Sequence, residues 1–323
     1  MIQAPRIAAA ATALAAGALL AGAVAADGLD AAMGEAVFER IWVPAPASTQ
    51  SADGLGPLFN ARSCAACHPD AGRGRPPETG AADDRGVGFV LRLADDPLYG
   101  RQLQTLGGGG PAPEGRVTLT WQDAKVAFPD GSTTVLRRPA VAVGDLAYGP
   151  LTVAEDGRSP RVAPSVRGLG LLERVPDADI LAFADPDDRD GDGISGRPNR
   201  VTGPDGAPAL GRFGLKAAHP TVASQNAEAF HLDIGMSTTY HTEPWGDCTA
   251  AQGDCRTAPH GDSPQFEGLE VPSALTAVLA TYVRSLPPAG GLEPPADAAG
   301  AALFAATGCA ARSEEHTSEL QSH

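Results

Sequence analysis

Aromatic side chains are scarce in this chain, 5 % of its residues, although 43 % are hydrophobic. Such a set fills a core of this size thinly. A large apolar cofactor would supply the missing volume, but composition alone does not call for one. Positive charge is scarce too: 24 Lys and Arg stand against 39 Asp and Glu, a net charge of −15. That balance repels a phosphate backbone and excludes nucleic acid as an expected partner. Beyond the N-terminus no apolar run is long enough to span a bilayer, so stable membrane insertion is not expected. Gly and Pro are plentiful, 39 and 29 residues, which marks a loop-rich protein. The 323 residues suffice for one large domain or two ordinary ones.

The start reads as an export signal. One basic residue, Arg6, precedes an Ala-rich apolar run that ends in Ala23-Val24-Ala25, small residues of the kind a signal peptidase reads. The expectation is a signal peptide over 1–25, cleaved near Ala25, and a periplasmic protein. Five Cys in an exported chain would ordinarily suggest disulfides, but their spacing argues against one uniform use.

Helical spacing of Met33, Val37, Phe38 and Ile41 predicts a helix that Pro44 and Pro46 end. A turn and short helix carry the Cys pair at 64 and 67, and 71–86 reads as loop. Val117, Leu119 and Trp121 alternate, and strands about a Pro-Asp-Gly turn follow, predicting a small antiparallel meander over about 116–143. A short helix begins at Pro176, 185–215 reads as a long loop, and two helices follow in PTVASQNAEAFHLD and VPSALTAVLATYVRSL. A Pro- and Gly-rich linker then leads into a last helix. That helix repeats earlier sequence: LFNARSCAA at Leu58–Ala66 matches LFAATGCAA at Leu303–Ala311 in Leu, Phe, Cys and both Ala.

The strongest chemical signal is Cys-Ala-Ala-Cys-His at 64–68. Cys-x-x-Cys-His is the attachment sequence of c-type haem. Two thiols about one helical turn apart reach the two porphyrin vinyl groups, and the adjacent His68 turns its imidazole to the iron as axial ligand. A dithiol redox centre also uses Cys-x-x-Cys but ordinarily follows a buried strand, and the preceding residues here look helical or turn-like. Zinc needs a second ligand pair, and none is near.

Several blocks in order resemble the bacterial di-haem oxidoreductase family, whose members are labelled peroxidases or thiol oxidoreductases. They include WVPAPASTQSADGLGPLFNARSCAACHPDAGRGRPP, LRRPAVAVGDLAYGPL, SPRVAPSVRGLGLLERVPDADILAFADPDDRDGDGISGRPN and ALGRFGLKAAHPTV, and the likeness runs from about Trp42 to Cys309. The resemblance implies a haem c on Cys64 and Cys67 with His68 as iron ligand, and a second Cys-x-x-Cys-His in a C-terminal cytochrome c-like domain. Cys309 stands where the first Cys of that second motif belongs. The closing RSEEHTSELQSH, residues 312–323, departs from the family and looks like translated sequencing adapter, so Ala311 is expected to be followed by Cys-His in the natural gene.

The expected fold is therefore mainly α and loop-rich: a cytochrome c-like haem domain over 26–287 with a small β insertion, then a linker and the truncated start of a second such domain over 288–311. The expected activity is peroxidase-like, passing electrons from a redox partner protein or small donor through two haems, one of them in this chain, to peroxide or a similar oxidant. A non-enzymatic electron-transfer cytochrome and thiol–disulfide chemistry are the alternatives.

Secondary sites remain open. Asp188, Asp190 and Asp192 alternate ahead of Gly193 as Ca²⁺ ligands can, although Asn199 stands where a calcium loop wants Glu, and a solvated acidic turn fits as well. Cys248 and Cys255 either close a short disulfide loop or stay free for exchange. Met236, His219, His231, His241 and Tyr240 are candidates for the sixth iron position or ordinary packing residues. Arg73 and Arg75 can pair with haem propionates or lie free in a loop.

Overall fold

The computed structural model describes residues 28–78, 84–108, 110–189, 191, 193–290 and 297–309. The expected signal segment 1–25, the tail 312–323, and Asp190 and Asp192 lie outside the described residues. Among the described residues no helix is long and apolar enough to cross a membrane.

Residues 28–39 form helix α1. It buries Val37 and Phe38 as expected, but Met33 is half exposed and Ile41, past the helix end, faces solvent. Gly34 sets its docking: a β-carbon there would run into the carbonyl oxygen of Val278 and the side chain of Tyr282. Those two residues belong to helix α7, Ser273–Ser285, which buries Thr276, Leu279, Ala280 and Val283. That spacing of three, four and seven residues is one helical face turned inward. Between them in sequence, helix α5, Val222–Ala229, starts at a capping box in which the Thr221 and Ser224 side chains each meet the other's backbone N–H. It continues into a single π-helical turn, Phe230–Ile234. Val37, Phe38, Trp42, Phe230, Met236 and Leu279 share the main apolar core, where Trp42 meets Phe230 edge-on.

A mainly α fold is not what forms. About 29 % of the described residues are helical and 22 % are strand, the latter in several small antiparallel sheets. Strand β1 is Leu58–Phe59, paired with β4, Leu106–Gly107. Strand β2, Phe89–Asp96, lies between β3, Gly100–Gln102, and β7, Arg158–Val162. Two physical reasons hid this sheet. Only Leu91 and Leu93 of β2 are apolar, buried and in period two, too short a pattern to count. β7 contains Pro160, which reads as a breaker, yet β7 is an edge strand where a missing N–H is tolerated. The remaining strands β8, Arg200–Thr202, and β9, Pro208–Leu210, form a small hairpin inside the segment expected to be loop.

The expected meander at 116–143 is one long hairpin: β5, Arg116–Ala127, pairs with β6, Thr133–Gly144, in unbroken register. Its base packs Val117, Val141 and Val143 on a second apolar cluster of Leu91, Leu93, Tyr99 and Leu103. Short helices complete the described chain: α2, Cys64–Cys67; α3, Leu169–Arg174; α4, Asp177–Ala182; α6, Gly253–Arg256; and α8, Ala298–Ala306.

Candidate haem-attachment site

Helix α2 is a single turn made by its own cap. The Ser63 hydroxyl accepts from the Ala66 N–H at 3.1 Å, and the His68 N–H donates to the Cys64 carbonyl at 2.9 Å. Cys64 and Cys67 are unpaired, half-buried thiols one turn apart. Cys64 and Ala65 pack on the main core, and Phe38 lies 6.4 Å from the His68 ring.

His68 Nδ1 is 2.7 Å from the carbonyl oxygen of Pro164, just past β7. A carbonyl can only accept, so Nδ1 carries the proton and Nε2 keeps its lone pair. Burial lowers the pKa of His68, partly opposed by that carbonyl and by Asp233, which keeps the ring neutral as a metal ligand must be. Burial, reinforced by Asp233, pushes both thiols up to about 12. That is the opposite of the depressed pKa on which dithiol redox centres depend.

Two glycines bring the backbone close. A β-carbon on Gly88 would sit 2.8 Å from the Cys67 carbonyl oxygen and 2.6 Å from the Ala163 β-carbon, and one on Gly74 would sit 3.2 Å from that same oxygen. The two thiols one turn apart and the adjacent imidazole, its Nδ1 committed to Pro164, fit covalent attachment of a c-type haem.

A polar cluster lies nearby, joining three histidines named from sequence to charged residues that were not. Glu228, at the end of α5, takes Arg101 at 2.9 Å, His241 Nε2 at 3.0 Å and Arg92 at 3.6 Å. Burial would raise its pKa, but His241, Arg101 and His219 hold it well below the usual carboxylate range. His231 stacks on His241 at 4.4 Å, and its buried Nδ1 has no hydrogen-bond partner among the described residues. Burial, with His241 beside it, pushes His231 down to about 4. Asp247 accepts from the N–H groups of Arg101 and Gln102, and burial raises it to about 6. Gln102 and Gln104 both donate to the Leu232 carbonyl, and Gln102 also donates to Asp233, tying the π-helical turn to β3. No sequence motif carries this cluster, because its members come from separate segments that only the fold unites.

The other expected site residues fall in different places. His219, His231 and His241 gather about Glu228. Met236 is fully buried in the core against which Cys64 packs, while Tyr240 is exposed. Arg75 is engaged by Asp84 through two contacts of 2.7 and 3.2 Å. Asp188 accepts from the Gly193 N–H with both oxygens, and no group of three or more metal-binding side chains occurs among the described residues. Cys248 and Cys255 are joined as a disulfide, buried against Leu58 and Trp245. Cys309 is exposed just past α8, with the Thr307 hydroxyl 3.3 Å from its sulfur.

A protein-family model described as "Di-haem oxidoreductase, putative peroxidase" matches residues 12–94 and 98–246. Searches of the curated proteins and of the solved structures returned no match.

Proposed function

The chain belongs to the di-haem oxidoreductase family, and from that membership we propose a periplasmic, peroxidase-like enzyme whose Cys64 and Cys67 hold a c-type haem and whose His68 binds its iron. The observation that carries the reading is the pair of free thiols on one helical turn beside an imidazole whose Nδ1 is committed to Pro164. When bound, the haem supplies a one-electron iron centre at which peroxide can be reduced to water. The protein's own part is to fix the His68 ring through Pro164, to exclude water with Phe38 and the core beneath α2, and to keep the imidazole neutral. Reduction of hydrogen peroxide to two waters consumes two electrons and two protons. The electrons come from a redox partner protein or small one-electron donor.

Cys309 is proposed as the first thiol of a second attachment site, on the strength of the repeated Leu-Phe…Cys-Ala-Ala pattern and the di-haem description of the family. Sequencing the gene past the Ala311 codon tests this, with Cys-His as the expected next residues.

Intact mass of the mature, exported protein tests the first site: a gain of one haem is expected, and its loss in the Cys64→Ser/Cys67→Ser variant. Peroxide-dependent oxidation of a reduced donor by the natural di-haem protein tests the activity. A purely low-spin spectrum without turnover would overturn the peroxidase reading. It would favour the second reading, an electron-transfer cytochrome.

A further inference from the structure

Opposed residues of antiparallel strands share one face of a sheet. In the β3–β2–β7 sheet, Val90 faces Arg161, and Arg92 faces Ser159 on one side and Gln102 on the other. Leu91 and Leu93 take the opposite face and enter the second apolar cluster. Just before β2 and just after β7, Gly88 and Ala163 meet, their backbones joined by a 2.8 Å hydrogen bond, and Cys67 lies against Gly88. Following the strands away from Cys67, Arg161 comes first and Arg92 next. From Gly88 to Arg92 the chain advances about 13 Å at strand rise.

Arg92 lies among the carboxylates of Glu228, Asp233 and Asp247, whereas Arg161 on the same face touches none of them. Arg92 reaches Glu228 at 3.6 Å, but that carboxylate already serves Arg101 and His241 at shorter range. Arg161 touches only the Ser159 hydroxyl, at 3.3 Å, and has no carboxylate partner among the described residues. Burial and the neighbouring Arg92 both disfavour its cation. Two half-buried guanidiniums side by side, one of them uncompensated, ask for an anion. Of the other cations near the motif, Arg75 is taken by Asp84, Arg167 donates to the Asp70 carbonyl, and Arg73 is exposed.

We propose that Arg161, with Arg92 beside it, binds the propionate carboxylates of the haem attached at Cys64 and Cys67. The proposal rests on that attachment. It also rests on porphyrin chemistry: vinyl groups and propionates occupy opposite edges, so a haem tethered through its vinyls turns its carboxylates away from the thioethers. Guanidinium forks match carboxylates in pairs of hydrogen bonds.

Spectroelectrochemical titration of the haem-loaded chain tests it, with wild type compared to Arg161→Gln, Arg161→Lys and, as a control for lost charge, Arg137→Gln on β6. Intact mass is read first for each variant, so failure of haem attachment is seen separately from failure of the arginine assignment. Removing a cation beside the propionates favours the ferric state. Arg161→Gln is expected to change the ferrous-to-ferric ratio about tenfold at fixed potential, a fall of about 59 mV in midpoint. Arg161→Lys, which keeps the charge and protects against a folding failure, recovers part of the shift, and Arg137→Gln leaves the midpoint unchanged. An attached haem whose midpoint is the same in wild type and Arg161→Gln overturns the proposal. So does a wild-type midpoint that depends saturably on phosphate at constant ionic strength and loses that dependence in Arg161→Gln, since the site would then hold a free anion.

Discussion

His68 Nδ1 donates to the carbonyl of Pro164 at 2.7 Å, a bond that spans 96 residues of sequence. The orientation of the proposed iron ligand is thus set from the end of β7 and not from its own helix. The same stretch seats Ala163 against Gly88, and Gly88 against Cys67. Strand pairing and the attachment motif are one mechanical unit, so a disturbance between β2 and β7 reaches both thiol and imidazole.

Gly88→Ala probes that unit. The residue has φ +58°, where a side chain is strained, and its β-carbon would press on both Ala163 and Cys67. A loss of about 1–3 kcal/mol in stability is expected, together with a lower haem-to-protein ratio in the purified product. Urea unfolding and the haem absorbance per mole of protein measure the two effects. Normal loading in a destabilised variant would show that the glycine serves the fold alone.

The Cys248–Cys255 disulfide has a structural position. Both residues are buried, and they pack on Leu58, the start of the strand that leads into the attachment motif. Closing a loop with a sequence separation of 7 restricts the unfolded chain by about 2 kcal/mol. Cys248→Ser/Cys255→Ser is expected to lower the thermal midpoint accordingly while covalent haem is retained. Because exchange needs access to the sulfurs, native protein is expected to resist alkylation after mild reductant. Rapid labelling would instead favour thiol–disulfide chemistry.

The proposed attachment motif is visible in sequence because it is local: two thiols and an imidazole within five residues. Helix α7 was legible through its period, and the hairpin through Val117, Leu119 and Trp121. The helical face of α1 was legible only at Val37 and Phe38, since Ile41 lies beyond the helix end. What the sequence hid was non-local. Pro160 disguised an edge strand, the partner of His68 is a backbone carbonyl that no side chain announces, and Glu228 meets Arg92, Arg101 and His241 across separate segments. Burial of charge beside charge is a property of the packed fold, and composition carries no trace of it.

Glu228 is the counter-charge for that cluster, with a side chain only 7 % exposed. Glu228→Ala leaves Arg92 and His241 without their acid and Arg101 with only its longer 3.7 Å contact to Asp247. Removing one partner of a buried ionic group typically costs about 3–5 kcal/mol, and the partial exposure of Arg101 and His241 puts the expected value near the lower end. Glu228→Gln, which still accepts one hydrogen bond, is expected to cost less. Denaturant midpoints at neutral pH give the comparison, and equal midpoints for wild type and Glu228→Ala would show that solvent already compensates the cations.

Four buried carboxyls set the alkaline side of the stability profile. Burial pushes Glu114 up to about 8, Glu270 to about 7 and Asp247 to about 6, and it raises Asp233 as well. Each folded-state pKa is raised above the unfolded value, so the folded protein holds protons that the unfolded chain has released. The stability each contributes is complete below the unfolded pKa and is lost as pH rises through the folded one, by about 1.4 kcal/mol per pH unit for each proton held. His231 acts oppositely. Lowered to about 4 chiefly by burial, it makes stability rise with pH up to its unfolded value of 6.5. Between pH 6.5 and 8 the histidine no longer contributes, and Glu114 and Glu270 are left to drive a descending limb. Glu114 accepts from the Gln104 N–H and the Gln252 side-chain amide; Gln at this position is neutral like the protonated acid, but its NH2 group can accept from neither donor. Glu114→Gln is therefore expected to flatten the fall in unfolding free energy over that window while lowering stability near pH 6 by about 1–3 kcal/mol, the cost of one donor left unpaired. Urea unfolding at half-unit pH steps measures it, and identical slopes in the two proteins would show that Glu114 is ionised in the fold at neutral pH.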